Sequence, residues 1–399
     1  MSRLSNSKTK SSNRQPSPPG PTTEHIVNNR FPWYSPRFWH GMRMGTWLRQ
    51  LGRHRLAISP SRIPLAMGIT GLGAINSTLA KVDELIYRRK IAQVRLPESP
   101  LFILGHWRSG TTFLHELLIR DPAHNYSTTY QCFAPHHFVL TESWFAPITS
   151  FLLPRRRPMD NMVAGWQRPQ EDEFALGSLG IGTPYLSMMF PNDGPACREY
   201  LDLRDLTPAE RGRWQAALLY FFRRLSYRDP RRLIVKSPPH TARVRTLLEM
   251  FPTARFVHLV REPYALYAST MRLWKSLHLA QGLQVPKNEQ WLSEYVLDSL
   301  ERMCAAFAED RTLLGDHQLV ELRYEDLIAN TKHELKRIYQ QLELGDFSRA
   351  EGPVDSYLLE VQNYRPSQIH LDRATRQLVR TRWASYFERY GYDPERPGT

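Results

Sequence analysis

Apolar positions recur along the chain in short unbroken runs, separated by longer stretches where they return every three or four residues. The runs "LFILG" (101–105), "LIVKS" (233–237), "FVHLV" (256–260) and "LVELRY" (319–324) are too short for core helices. They predict strands buried on both faces. A helical pattern follows each, over 111–120, 241–250, 263–280 and 327–344. That alternation predicts an α/β fold, a central and mainly parallel sheet flanked by helices. No internal repeat is visible. The stretch 121–232 breaks the rhythm; it is aromatic and proline-rich and reads as a large insertion after the first strand. Loops leaving the carboxyl ends of strands form the binding crevice of such sheets, so an acceptor pocket is expected there.

The N-terminal part reads differently. Residues 1–24 are dominated by Ser, Lys, Asn, Pro and Gly and cannot bury enough apolar surface to repay ordering. Residues 31–55 interleave aromatics with arginines. Residues 63–80 run eighteen positions without a charge but hold three glycines, a poor composition for a spanning helix. They read as a buried helix docked on the core, with a membrane-surface segment as the other reading. The expected organisation is a disordered basic tail (1–30), a basic and aromatic helical extension (31–95), and one α/β domain (96–399).

Composition changes this picture little. Of 399 residues, 41% are apolar and 23% charged, ordinary for a globular protein. The net charge of +14 first suggests nucleic acid or an anionic membrane. Its distribution argues otherwise: residues 1–55 carry ten Lys or Arg against Glu24 alone. No nucleic acid is expected, and peripheral membrane contact is expected through residues 31–80. Cys132, Cys197 and Cys304 are odd in number and far apart, with no zinc or disulfide spacing. With no apolar h-region behind the N-terminal charges, the expected location is the cytoplasm, peripheral at the inner membrane surface.

Chemistry concentrates in "GHWRSGTT" (105–112), which has the G-x-x-x-x-G frame of a phosphate loop. A nucleoside triphosphatase has lysine where this chain has Thr111. Its cation is Arg108, inside the loop. Arg108, Ser109, Gly110, Thr111 and Thr112 suit an anion held by hydrogen bonds and one charge, without a metal. The plain alternative is a helix start capped by Ser109 or Thr111. A second set lies in "RFVHLVREPYALYASTMRLW". Arg261 ends a strand, Pro263 can start a helix, and Ser269 sits about two turns in, able to meet the same anion that Arg261 grips. Here the plain alternative is an Arg261–Glu262 pair on the surface.

In these motifs the chain resembles the sulfotransferases that use 3′-phosphoadenylyl sulfate (PAPS), in their bacterial-type form. The family's 5′-phosphosulfate loop is similar to "GHWRSGTTFLHELL", its Arg and Ser for the 3′-phosphate to Arg261 and Ser269, and its YED motif to Tyr324–Asp326. The resemblance runs from about residue 100 to 345, in the family's order. It implies a P-loop-like fold with PAPS as co-substrate, Phe113 and Tyr324 at the adenine, and sulfuryl transfer to a hydroxyl or, second to that, an amine. No metal or covalent enzyme intermediate is implied.

Sulfuryl transfer needs a base at the acceptor and cations at the departing oxygen. Lys236, in "RLIVKSPPHTARV", and Arg108 supply the cations. In the cytosolic branch of the family a catalytic histidine stands two positions after this lysine; this chain has Pro238 there, and His240 substitutes only by proximity. Related branches use a glutamate, and "RPQEDEFAL" (168–176) offers Glu171, Asp172 and Glu173, with Glu171 or Glu173 preferred. Crowding raises the pKa of one such acid, whereas acids in a first helical turn can be purely structural. His136 and His137 read as packing or substrate contact rather than as a base. The aromatics of the insertion, Tyr126, Tyr130, Phe133, Phe138, Trp144, Phe145, Trp166, Phe174, Tyr185 and Phe190, favour a hydrophobic or lipid-like alcohol. Two other classes compete. A P-loop kinase would need the missing lysine and a magnesium carboxylate. A non-catalytic membrane- or nucleic-acid-binding protein on a degenerate fold would need no intact anion sets.

Overall fold

The computed structural model describes residues 31–395 apart from 33, 155, 158–161, 288 and 363–369. The expected tail over 1–30 therefore lies outside the described residues. Five strands form one sheet: β1 (Leu101–Leu104), β2 (His124–Tyr126), β3 (Arg232–Lys236), β4 (Arg255–Val260) and β5 (Leu319–Arg323). Their order is β2-β3-β1-β4-β5, and every pairing is parallel. β1 is central, with Leu101 beside Ile234 on one side and Arg255 on the other.

Alternate residues of the strands feed two cores, as the period of two requires. Phe102, Leu104, Leu233, Val235 and Phe256 join a large aromatic core that includes Trp214, Phe222 and Trp274. Leu101, Ile103, Ile234, Val257 and Leu259 point the other way, into a smaller aliphatic one. Four expected strands fall within a residue of the observed ones. β2 departs from the expectation: "HNY" at the head of the presumed insertion adds an edge strand that no apolar run announces. β5 also departs, because its residues alternate between buried and half-buried; it is the other edge and needs no second dry face.

The helices are α1 (Met44–Arg53), α2 (Ile63–Ala92), α3 (Thr111–Leu118), α4 (Thr129–Phe133), α5 (Phe138–Ile148), α6 (Asp172–Leu179), α7 (Pro208–Arg228) and α8 (Val244–Met250). They continue as α9 (Pro263–Gln281), α10 (Trp291–Asp310), α11 (Tyr324–Ala329), α12 (Thr331–Gln341), α13 (Ser348–Val361), α14 (Arg373–Arg382) and α15 (Ala384–Tyr390). The region before β1 is helical, as expected. Its aromatics are spent on the core: Phe38, Trp39 and Trp47 are buried, and the Trp39 indole donates to the Gln281 carbonyl at 2.7 Å. α2 has two faces. Ala66, Ile69, Gly73, Asn76, Ala80 and Asp83 form a buried stripe, while Met67, Ile75, Val82, Leu85 and Ile86 are exposed. By length and composition alone, Pro60–Ala92 could cross a membrane.

Because the sheet is parallel, the carboxyl ends of β1, β3, β4 and β5 share one edge. That edge delivers Gly105–Gly110, Lys236, Arg261 and Tyr324 to one place.

Candidate active site

The turn after β1 owes its shape to a backbone most residues avoid. Gly105 has φ +143°, Arg108 +70° and Gly110 +101°. A Cβ on Gly105 would lie 2.5 Å from both the Leu259 carbonyl oxygen and Ser109 Oγ, and one on Gly110 would lie 2.3 Å from Tyr324 Cδ2. Glycine is therefore required at both positions on space as well as φ. Ser109 Oγ donates to the His106 carbonyl at 2.8 Å, and Thr241 Oγ1 accepts from the Gly105 amide at 2.7 Å. α3 then opens with Thr111 and Thr112, presenting its unpaired first amides to the turn.

The second set meets the first. Arg108 Nε donates to Ser269 Oγ at 3.0 Å, and Arg261 Nη1 donates to the Arg108 carbonyl at 2.9 Å. The Arg261 guanidinium lies 4.7 Å from the centroid of the Tyr324 ring. Arg108, Arg261, Ser269 and Tyr324, from three strand ends and helix α9, thus converge on one cradle at the head of α3. Phe113, in the first turn of α3, is half-buried, with its ring 6.3 Å from that of Tyr357.

The three adjacent acids are sorted by partners brought from β3 and the turn behind it. Glu171 caps α6 without closing its own hydrogen bond; its carboxylate pairs with Lys236 Nζ and accepts from the Tyr185 hydroxyl. Tyr185 in turn accepts from the Trp107 indole at 2.9 Å, so the phosphate turn and the carboxylate share one hydrogen-bonded chain. Glu171 keeps 13% of its side chain exposed, whereas Asp172 and Glu173 are fully buried. Asp172 accepts from Ser237 Oγ at 2.5 Å and meets His240 Nε2 at 2.9 Å. Burial pushes its pKa up, but His240, Ser237 and Arg243 outweigh that and leave it below the usual range. Glu173 is gripped by both terminal nitrogens of Arg243, at 2.7 and 3.0 Å. Burial lowers the Lys236 pKa, and the Glu171 charge offsets this only in part.

Sequence reasoning missed Trp107, Tyr185 and Arg243 as members of this constellation. Tyr185 stood among the aromatics of the insertion, and Trp107 sits inside the turn itself. Of the other aromatics, Tyr130, Phe138, Phe174 and Phe190 are core, while Trp144 is exposed. His136 and His137 are buried; His137 lies within 3.0 Å of Thr141 Oγ1 and 3.2 Å of Asn76 Oδ1.

Residues 100–348 match the family model described as the sulfotransferase family. The chain belongs to this family. Over 365 residues it is 40% identical to proteins named omega-hydroxy-beta-dihydromenaquinone-9 sulfotransferase Stf3, from Mycobacterium tuberculosis (strain CDC 1551 / Oshkosh) and Mycobacterium bovis (strain ATCC BAA-935 / AF2122/97); that span is 92% of this chain and 93% of theirs. Two solved sulfotransferases share the fold. STF1 from Mycobacterium tuberculosis H37Rv superposes with a TM-score of 0.61 at 18% identity, covering 86% of this chain and 90% of its own. STF9 from Mycobacterium avium does so with 0.63 at 17% identity, covering 88% and 97%. The sulfotransferase's sheet edge is thus where its chemistry is to be sought.

Proposed function

We propose that this sulfotransferase moves the sulfuryl group of PAPS to the hydroxyl of a hydrophobic, lipid-like alcohol. The convergence of Arg108, Arg261 and Ser269 on the turn at the head of α3 carries the reading, because it provides for two anions rather than one. The turn amides with Ser109, Gly110, Thr111 and Thr112 would hold the 5′-phosphosulfate, and Arg261 with Ser269 the 3′-phosphate. Phe113 and Tyr324 would flank the adenine.

Glu171 takes the proton of the acceptor hydroxyl while its oxygen attacks sulfur in line and the sulfur–oxygen bond to the phosphate breaks. Lys236 and Arg108 hold the charge that gathers on the departing oxygen. Tyr185 orients Glu171. Glu171 rather than Glu173 has this role because it alone of the three acids reaches open space; Asp172 and Glu173 anchor α6 to the turn after β3. The apolar character of the acceptor is supported by the aromatics of 121–232 and by the 40% identity to proteins whose name gives a hydroxylated menaquinone as substrate.

Adenosine 3′,5′-bisphosphate should raise the melting temperature far more than AMP or ATP with magnesium does, because a ligand bound only by the folded state stabilises it by mass action. Arg261→Ala should erase the preference over AMP. A shift from ATP with magnesium alone would sink the PAPS reading and revive the kinase one.

A further inference from the structure

Two neighbouring elements carry large apolar side chains on the outside. In the second half of α2, Val82, Leu85 and Ile86 are exposed, Leu85 at 88%. Exposed Lys81, Arg88, Arg89 and Lys90 are interleaved with them, against the single exposed acid Glu84. On α5 and the turn after it, Trp144 (50%), Ile148 (66%) and Phe151 (72%) are exposed. Asp83 joins the two helices: its Oδ2 accepts from the Leu140 amide at 3.2 Å, and its Oδ1 pairs with Arg224.

Behind α5 lies a cavity of about 540 Å³. Ala146, Pro147 and Ser150 line it on the α5 side, facing Tyr126 and Trp166, and the ion-paired Glu116, Arg120, Arg168 and Glu360 line it as well. Trp166 is buried, and its indole N–H has no hydrogen-bond partner. A buried donor left unmade is costly, so this group calls for a ligand oxygen. Pro169, which also lines the cavity, is two residues from Glu171, a span of at most about 7 Å.

We propose that α5, its following turn and the cationic half of α2 seat the protein on an anionic bilayer, and that the cavity behind α5 receives the oxygen-bearing end of a lipid alcohol drawn from it. The second clause rests on the acceptor reading given above. Apolar and aromatic side chains interleaved with Lys and Arg are the pattern that lies in a headgroup boundary. The same short helix forms a wall of the cavity, so a molecule leaving the bilayer at α5 meets the cavity directly.

Flotation of the full chain on phosphatidylcholine vesicles, with and without phosphatidylglycerol, tests the surface. The wild type should float with the anionic vesicles, and Ile148→Glu/Phe151→Glu should bind at least tenfold less with an unchanged melting temperature. Geranylgeraniol in detergent micelles tests the cavity. It should raise the wild-type melting temperature, and Gly165→Trp, which fills the cavity from the side away from α5, should abolish that rise without altering flotation. Wild-type protein that stays with the soluble fraction, or a double variant that floats equally well, overturns the docking surface. A dimer by light scattering that the double variant converts to monomer, with no flotation, assigns the face to a second copy and also overturns it. A geranylgeraniol shift that survives Gly165→Trp removes the cavity assignment. None of these readouts uses PAPS, so failure of the bisphosphate to bind would strike the sulfuryl-transfer reading and leave the docking surface standing.

Discussion

Glu171, Asp172 and Glu173 are consecutive, yet each faces a different partner: Lys236, His240 and Arg243. Substitution should separate their roles. Glu171→Gln should leave bisphosphate binding intact and lower kcat about 10²–10⁴-fold, the usual worth of a positioned base. Glu173→Gln should instead destabilise the fold by about 3–5 kcal/mol, because Arg243 would stay buried without its counter-charge. Paired melts and single-turnover rates distinguish the two; a stable Glu173→Gln with a collapsed kcat would transfer the base to Glu173. The Tyr185 hydroxyl donates to Glu171 and fixes its position, so Tyr185→Phe should lower kcat and leave bisphosphate binding intact. A variant that loses bisphosphate binding as well would show that Tyr185 is merely structural. The sequence held the three acids together but not their order of use. That order depends on residues some seventy positions away, which only the fold brings near.

Among the elements, β1, β3 and β4 were legible because burial on both faces leaves little room for polar residues, and β5 because its buried face still carries Val320 and Leu322. β2 was not legible, since three residues at a sheet edge can be His, Asn and Tyr and still pair with β3. The aromatic arm and α2 were legible as helical, but a sequence does not say which face of a helix finds a partner. The Asp83–Arg224 pair answers part of that: both side chains are buried, at 0% and 3% exposure, and they tie α2 to α7 with the Leu140 amide of α5 as third member. Asp83→Ala should cost about 3–5 kcal/mol by stranding the arginine, whereas Asp83→Leu/Arg224→Met should cost far less. Urea midpoints of the two variants test this. Equal losses would mean that the helix contacts, not the charges, hold α2 in place.

Over the whole molecule, buried histidines set the response to acid. Burial holds His106, His115 and His136 at about 3 and His40 and His137 at about 4. The unfolded chain protonates these side chains near 6.5. From about pH 6.5 down to those values the unfolded state holds more protons, so stability falls as pH falls through that window. Melting temperatures recorded from pH 7.5 to 4 should drop progressively below about 6.5; a flat profile would mean the imidazoles are already charged in the fold.

The hydrogen bond between Arg108 and Ser269 joins positions 161 residues apart, and Tyr324, whose ring packs on Gly110, comes later still. A ribosome making about 5–20 residues per second therefore needs roughly 8–30 s between finishing the phosphate turn and supplying its partner serine. Throughout that interval the nascent chain carries the turn without the residues that complete the donor site. On the donor site proposed above, a polypeptide still being synthesised lacks part of that site until β5 and α11 have emerged, so that competence to bind would report that the sheet is complete.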